Sequence, residues 1–257
     1  MKDTRHKMKE SLSRKLGQAQ FPSLPGRSGY AVSLNNHQGL SLKQAAVIAG
    51  LGLLLMALIA PFSYFQVVEG LIVPGDAAAT AVNVSSSANA LRWAIVGFLI
   101  IIILDVLVAW ALYVFLRPVN KMLSLLAAWF RVIYAALFAV ALNDLFGVLH
   151  LVGNTGLADF PVHGQMMLFL QNFQSGWDLS LFVFGVHLLL LGVLMYQSGY
   201  MPKILASLVV LAGIGYGVDS IGKTLWATYT LDLAIYTFPG EVLLIFWLLI
   251  KGRKFEL

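Results

Sequence analysis

The stretch Gly176–Ser220, GWDLSLFVFGVHLLLLGVLMYQSGYMPKILASLVVLAGIGYGVDS, decides the fold. It reads as two long apolar segments joined by a tight turn, SGYMP at 198–202, with Asp178, His187 and Asp219 set inside them. An apolar run of about 18 or more residues is long enough to cross a bilayer core. Ionisable groups at that depth are rare and face a bundle interior or a watery cavity. The stretch is therefore expected to be a helical hairpin in lipid.

The rest of the chain agrees. Of its 257 residues, 59% are hydrophobic and 11% charged, and the mean hydropathy is +0.82. A soluble domain carries about 25% charged residues. No cysteine is present, which excludes disulfides and thiolate metal sites. The net charge of +5 is unevenly placed. Residues 1–43 hold eight Lys or Arg against Asp3 and Glu10, whereas the remainder holds nine basic and ten acidic residues. Basicity confined to a tail argues against nucleic acid as a partner and for anionic lipid headgroups.

The expected architecture is all-α: a basic, disordered cytoplasmic tail over 1–42 and a six-span transmembrane bundle over 43–257. Met8, Leu12 and Leu16 in the tail share a helical face, so a short interfacial helix is the alternative there. The spans are expected at Ala45–Val68, Leu91–Leu116, Met122–Leu151, Met167–Tyr196, Ile204–Leu225 and Leu233–Ile250, with a kink at Pro61 and a break at Pro239-Gly240. The tail, the Arg117–Lys121 turn, the Lys203 turn and the C-terminal KGRKFEL fall on one side. Glu69, Asp76, Asp159 and Asp232 fall on the other. The positive-inside rule then puts both termini in the cytoplasm, and the expected location is the cell (inner or plasma) membrane. In the first outer loop, Pro74-Gly75 makes a turn and Asp76 is placed to cap a short helix. His163 is expected in an outer loop, and the two Pro-turn hairpins leave an internal duplication open.

Three blocks, LIVPGDAAATA at 71–81, YVFLRPVNKMLSLLAAWFR at 113–131 and WDLSLFVFGVHLLLLGVLMYQSGYMPKILASLVVLAGIGYGVDS at 177–220, resemble a bacterial integral-membrane family, domain of unknown function 4386. The resemblance covers roughly residues 45–250. It implies a multi-span helical membrane protein and supplies no activity, cofactor or catalytic residue.

Depth, at about 1.5 Å per helical residue, sorts the polar residues into two layers. Asp105, Arg131, His187 and Glu241 fall roughly 13–17 Å from the cytoplasmic ends, near the midplane. An isolated charge there costs at least about 2.5–3.5 kcal/mol, so Arg131 is expected to pair with Asp105 or Glu241. A register-fixing ion pair and a proton or ion relay both fit. Nearer the outer face lie Asn143, Asp144, His150, Asp178, Asp219 and Lys223, with Asp144, Asp178, Asp219 and Lys223 expected in one outward pocket. Asp219 and Lys223, at i and i+4, can pair with each other. Asp178 and His187 are nine apart and point to opposite sides of one helix, which weakens a metal site.

Gly217–Thr224 matches the phosphate-loop pattern G-x-x-x-x-G-K-[ST], but a real one follows a strand and opens a helix. Here it sits inside an apolar helical segment, so neither nucleotide nor any other cofactor is expected, and Gly213-xxx-Gly217 reads as close helix packing. Three function classes remain: a membrane-organising or interaction protein, a small transporter using the midplane charges, and an intramembrane enzyme acting on lipid.

Overall fold

A computed structural model describes residues 40–152, 162–226 and 228–254, and the elements among them are helical. The tail, with His6 and His37, and Asp159 of the outer loop lie outside the described residues. Six helical stretches are long and apolar enough to cross a membrane: Leu42–Glu69, Ala88–Leu116, Lys121–Val152, Val162–Gln197, Lys203–Leu225 and Leu233–Lys254. The chain is an all-α, multi-span membrane protein.

Each boundary has a local cause. Helix α1 (Leu42–Pro61) opens on a capping box, in which Ser41 and Gln44 each accept from the other's backbone N–H. At Pro61, which has no N–H to donate, the helix continues as a π-helical segment over Phe62–Glu69. Asp76 then caps α2 (Ala77–Ser86), accepting from the Ala79 N–H at 2.9 Å as its place in the sequence implied. The long spans α3 (Ala88–Leu116), α4 (Lys121–Val152), α5 (Val162–Gln197) and α6 (Lys203–Leu225) follow. α5 begins five residues before the expected Met167, because its first turns carry His163 and Gln165 and stand beyond the apolar layer. His163 is thus an exposed residue of a helix rather than of a loop. Finally α7 (Leu233–Thr237) and α8 (Pro239–Ile250) form the last span, bent at Phe238 where Pro239 opens the second piece.

The spans close into a ring. α1 packs on α3, α3 on α4, α4 on α5, α5 on α6, α6 on α7 and α8, and α8 returns to α1. Lipid offers helices no hydrophobic reason to associate, so the close contacts are made by small residues. A Cβ on Gly213 would stand 2.7 Å from the Gly185 carbonyl oxygen, and one on Gly240 2.7 Å from the Leu208 carbonyl oxygen. Gly217 differs from the expected packing pair, since its Cβ direction is open.

Inside the ring, toward the acidic end, aromatic rings fill the space. Tyr64 stacks on Trp177 at 5.1 Å, Trp177 meets Phe138 at 4.5 Å, and Phe138 lies 6.3 Å from Tyr134. Tyr134 then meets Phe184 at 4.8 Å, and Phe184 meets Tyr216 edge-on at 5.5 Å. This column runs through the π-helical segment, α4, α5 and α6 and ends at the midplane polar groups.

Candidate functional site

The midplane layer is built from one residue per helix. Asp105 comes from α3, Arg131 from α4, His187 from α5 and Glu241 from the first turn of α8. Arg131 and Asp105 are 2% and 1% exposed and form an ion pair, Nη2 to Oδ1, of 2.7 Å. Of the two partners the sequence offered Arg131, the structure takes Asp105. The other guanidinium nitrogen, Nη1, approaches His187 Nε2 at 3.3 Å. A carbonyl only accepts and a guanidinium only donates. His187 Nδ1 therefore donates to the Ala127 carbonyl at 2.8 Å, and Nε2 accepts from Arg131. The imidazole is neutral, with its proton on Nδ1.

Two further contacts extend the layer. The Arg131 guanidinium carbon lies 5.3 Å over the Phe184 ring, a cation–π arrangement made stronger by exclusion of water. Glu241 is held separately: the Tyr216 hydroxyl donates to its Oε1 at 3.0 Å. The pairs thus tie α3 to α4, α4 to α5, and α6 to α8. Among the described residues, Asp105 Oδ2 and Arg131 Nε are buried without a hydrogen-bond partner. A narrow seam that admits no water runs between α3, α4 and α5, with Leu112, Leu116, Leu191 and His187 among its walls.

Toward the acidic end the six outer residues separate into distinct sets. Lys223 Nζ pairs with Asp178 at 3.1 Å and with Asp232 at 3.4 Å, not with Asp219. The i, i+4 pairing fails because Asp219 has stronger claims on it. Its Oδ1 accepts from the Tyr229 hydroxyl at 2.6 Å and the Leu233 N–H at 2.8 Å, and its Oδ2 from the Ala234 N–H at 2.7 Å. Both carboxylate oxygens thereby satisfy the free N–H groups that open α7. The bond to Asp219 holds the Tyr229 phenol at about 12, above its ordinary 10.0. Asp144 is partly buried on α4, and Asn143 and His150 are exposed. Of the four residues expected in one pocket, only Asp178 and Lys223 meet.

The structure also brings in residues that sequence reasoning passed over. Asp232 had been counted as a loop charge, yet it is the second partner of Lys223. Tyr216 and Phe184 link Glu241 to Arg131, and aromatic residues scattered over four elements give no sequence signal of their meeting. Gly217–Thr224 lies wholly within α6, where its N–H groups are committed to the helix. Among the described residues, no three His, Asp or Glu side chains gather closely enough to hold a metal ion.

Residues 48–252 match the family described as a domain of unknown function, DUF4386. The chain belongs to it. All three blocks that carried the resemblance fall inside the match. An uncharacterized protein of Archaeoglobus fulgidus is 44% identical to this DUF4386 chain over 162 residues, which are 63% of this chain and 85% of that relative. No solved structure matches.

Proposed function

We propose that this DUF4386 protein is a membrane-organising or interaction protein, a closed bundle whose buried charges hold helices in register. One observation carries this reading: the midplane groups are directed at neighbouring helices, with Asp105 on Arg131, Arg131 on His187, and Tyr216 on Glu241. In this reading the buried charge network fixes one packing out of many, whether or not it adds stability. The aromatic column on one side and the water-tight seam on the other support the same reading. In this proposal the chain lies in a bacterial inner membrane with both termini cytoplasmic, and its basic tail meets anionic headgroups.

Purified protein in vesicles tests the role. Proton and potassium gradients are expected to decay no faster than in empty vesicles, and a photocrosslinker at lipid-facing Trp129 should trap a discrete adduct in intact cells. Gradient decay that Arg131→Leu abolishes would overturn the proposal. It would favour the second reading, a small transporter, for which the orphaned Asp105 Oδ2 and Arg131 Nε speak. Orientation is tested in the cysteine-free chain: Ala78→Cys should react with an impermeant maleimide in intact cells and Lys121→Cys only after lysis. The reverse pattern would invert the topology.

A further inference from the structure

The hairpin of α5 and α6 carries a groove at its basic end that no part of the midplane network uses. It is lined by Gly192, Val193, Tyr196 and Gln197 of α5 and by Ala206, Ser207 and Val210 of α6, and its volume is about 240 Å³. Its floor is made by small residues. A Cβ on Gly192 would stand 3.0 Å from the Ala206 carbonyl oxygen. Its sides are exposed, with Val193 at 43% and Tyr196 at 53%, and therefore face the bilayer. At the mouth, Lys203 Nζ lies 5.1 Å over the ring of Tyr196, which holds the ammonium beside the groove.

We propose that this groove binds one anionic phospholipid of the leaflet at that end. An acyl chain lies along Val193, Tyr196 and Val210, while Lys203 meets the phosphate and the Gln197 amide can donate to it. Charge complementarity selects this occupant. Arg117, Lys121, Lys251, Arg253 and Lys254 lie at the same end of the bundle, where no carboxylate occurs among the described residues. The level is right as well. Tyr196, Gln197 and Lys203 flank the 198–202 turn at the headgroup boundary, where tyrosine rings and basic side chains anchor. The turn is itself tied down, since the Tyr200 hydroxyl donates to the Phe115 carbonyl at 3.2 Å. The inference deepens the organising role by naming a partner for it and rests on that role. Lipid binding in detergent and flux in vesicles nevertheless fail independently.

Native mass spectrometry of the full chain in a neutral detergent tests it, with titration by dioleoylphosphatidylglycerol or dioleoylphosphatidylcholine. The wild type should retain one phosphatidylglycerol with about fivefold preference, the equivalent of the ~1 kcal/mol a basic residue contributes near anionic lipid. Lys203→Gln should remove the preference and Arg253→Gln should keep it. Ser207→Leu, which fills the groove, should lower retention of both lipids, and Val193→Phe gives the same test from the other wall. Equal losses in Arg253→Gln and Lys203→Gln would make the effect a diffuse one of the basic face. Displacement by glycerol 3-phosphate would make the ligand a free phosphate. Full lipid retention in both groove-filling variants would mean that the groove is not the site. Any of these outcomes overturns the proposal.

Discussion

Replacing Arg131 by leucine tests the polar pin of the bundle most directly. The guanidinium is 2% exposed, pairs with Asp105 at 2.7 Å and approaches His187 at 3.3 Å. Removing it leaves the carboxylate of Asp105, itself 1% exposed, without its cation. It also strips His187 Nε2 of a donor. Breaking a buried pair from one side costs about 3–5 kcal/mol, because an uncompensated charge stays behind. At about 2–4 °C per kcal/mol for a chain of this size, the melting temperature should fall by about 6–20 °C. Intrinsic tryptophan fluorescence in detergent reads this, since Trp177 sits in the aromatic column against Phe138 and Tyr64. The double variant Arg131→Leu/Asp105→Leu should recover most of the loss, as replacing both charges by apolar groups is often neutral or stabilising. A single variant melting within about 1 kcal/mol of wild type would refute the reasoning. So would a double variant melting no higher than the single.

Three other perturbations separate the remaining contacts. Gly213→Val should lower the melting point by the equivalent of about 1–3 kcal/mol, because its side chain would meet the Gly185 backbone, whereas Gly217→Ala should be neutral or stabilising. Asp219→Ala removes the acceptor of three hydrogen bonds and should speed amide exchange in α7 while leaving exchange in α4 unchanged. The Tyr229 phenol should titrate near 12 in an ultraviolet difference titration, and Asp219→Asn should bring it down toward 10.0. The sign follows from the raised value. The bond contributes its stability in full below pH about 10, and that contribution is lost as pH climbs through about 12.

How far the sequence reaches depends on the physics at each residue. Span number and class were legible because hydrocarbon thickness fixes length and apolarity together. The Arg131–Asp105 pair was legible to within two candidates, since a charge at that depth requires a partner. Asp76 was legible because a cap acts over three residues. Asp219 was not: the i, i+4 rule points to Lys223, but the N–H groups that bind it lie 14 and 15 residues further on and reach it only through the bend after α6. Asp232 lies in the loop where the sequence put it, but its pairing with Lys223, nine residues back, was not legible for the same reason. The aromatic column was invisible because ring contacts follow no period along the chain.

The two polar layers answer different demands. Near the midplane no water competes, so a misregistered helix would strand Arg131 or Asp105 in hydrocarbon, and the cost of error is large. A pin there is selective even if the pair adds little net stability. At the acidic end, Lys223 with Asp178 and Asp232 lies half in solvent, where salt screens and each bond is weak. Cohesion at that end comes instead from the aromatic column and from the α7 N–H groups held by the Asp219 carboxylate. Under the proposed role, the molecule separates specificity from adhesion along its axis. In that role, Arg131 and Asp105 set which helices meet and at what height. The rings above them and the glycine contacts at Gly185, Gly213 and Gly240 supply the attraction that lipid does not.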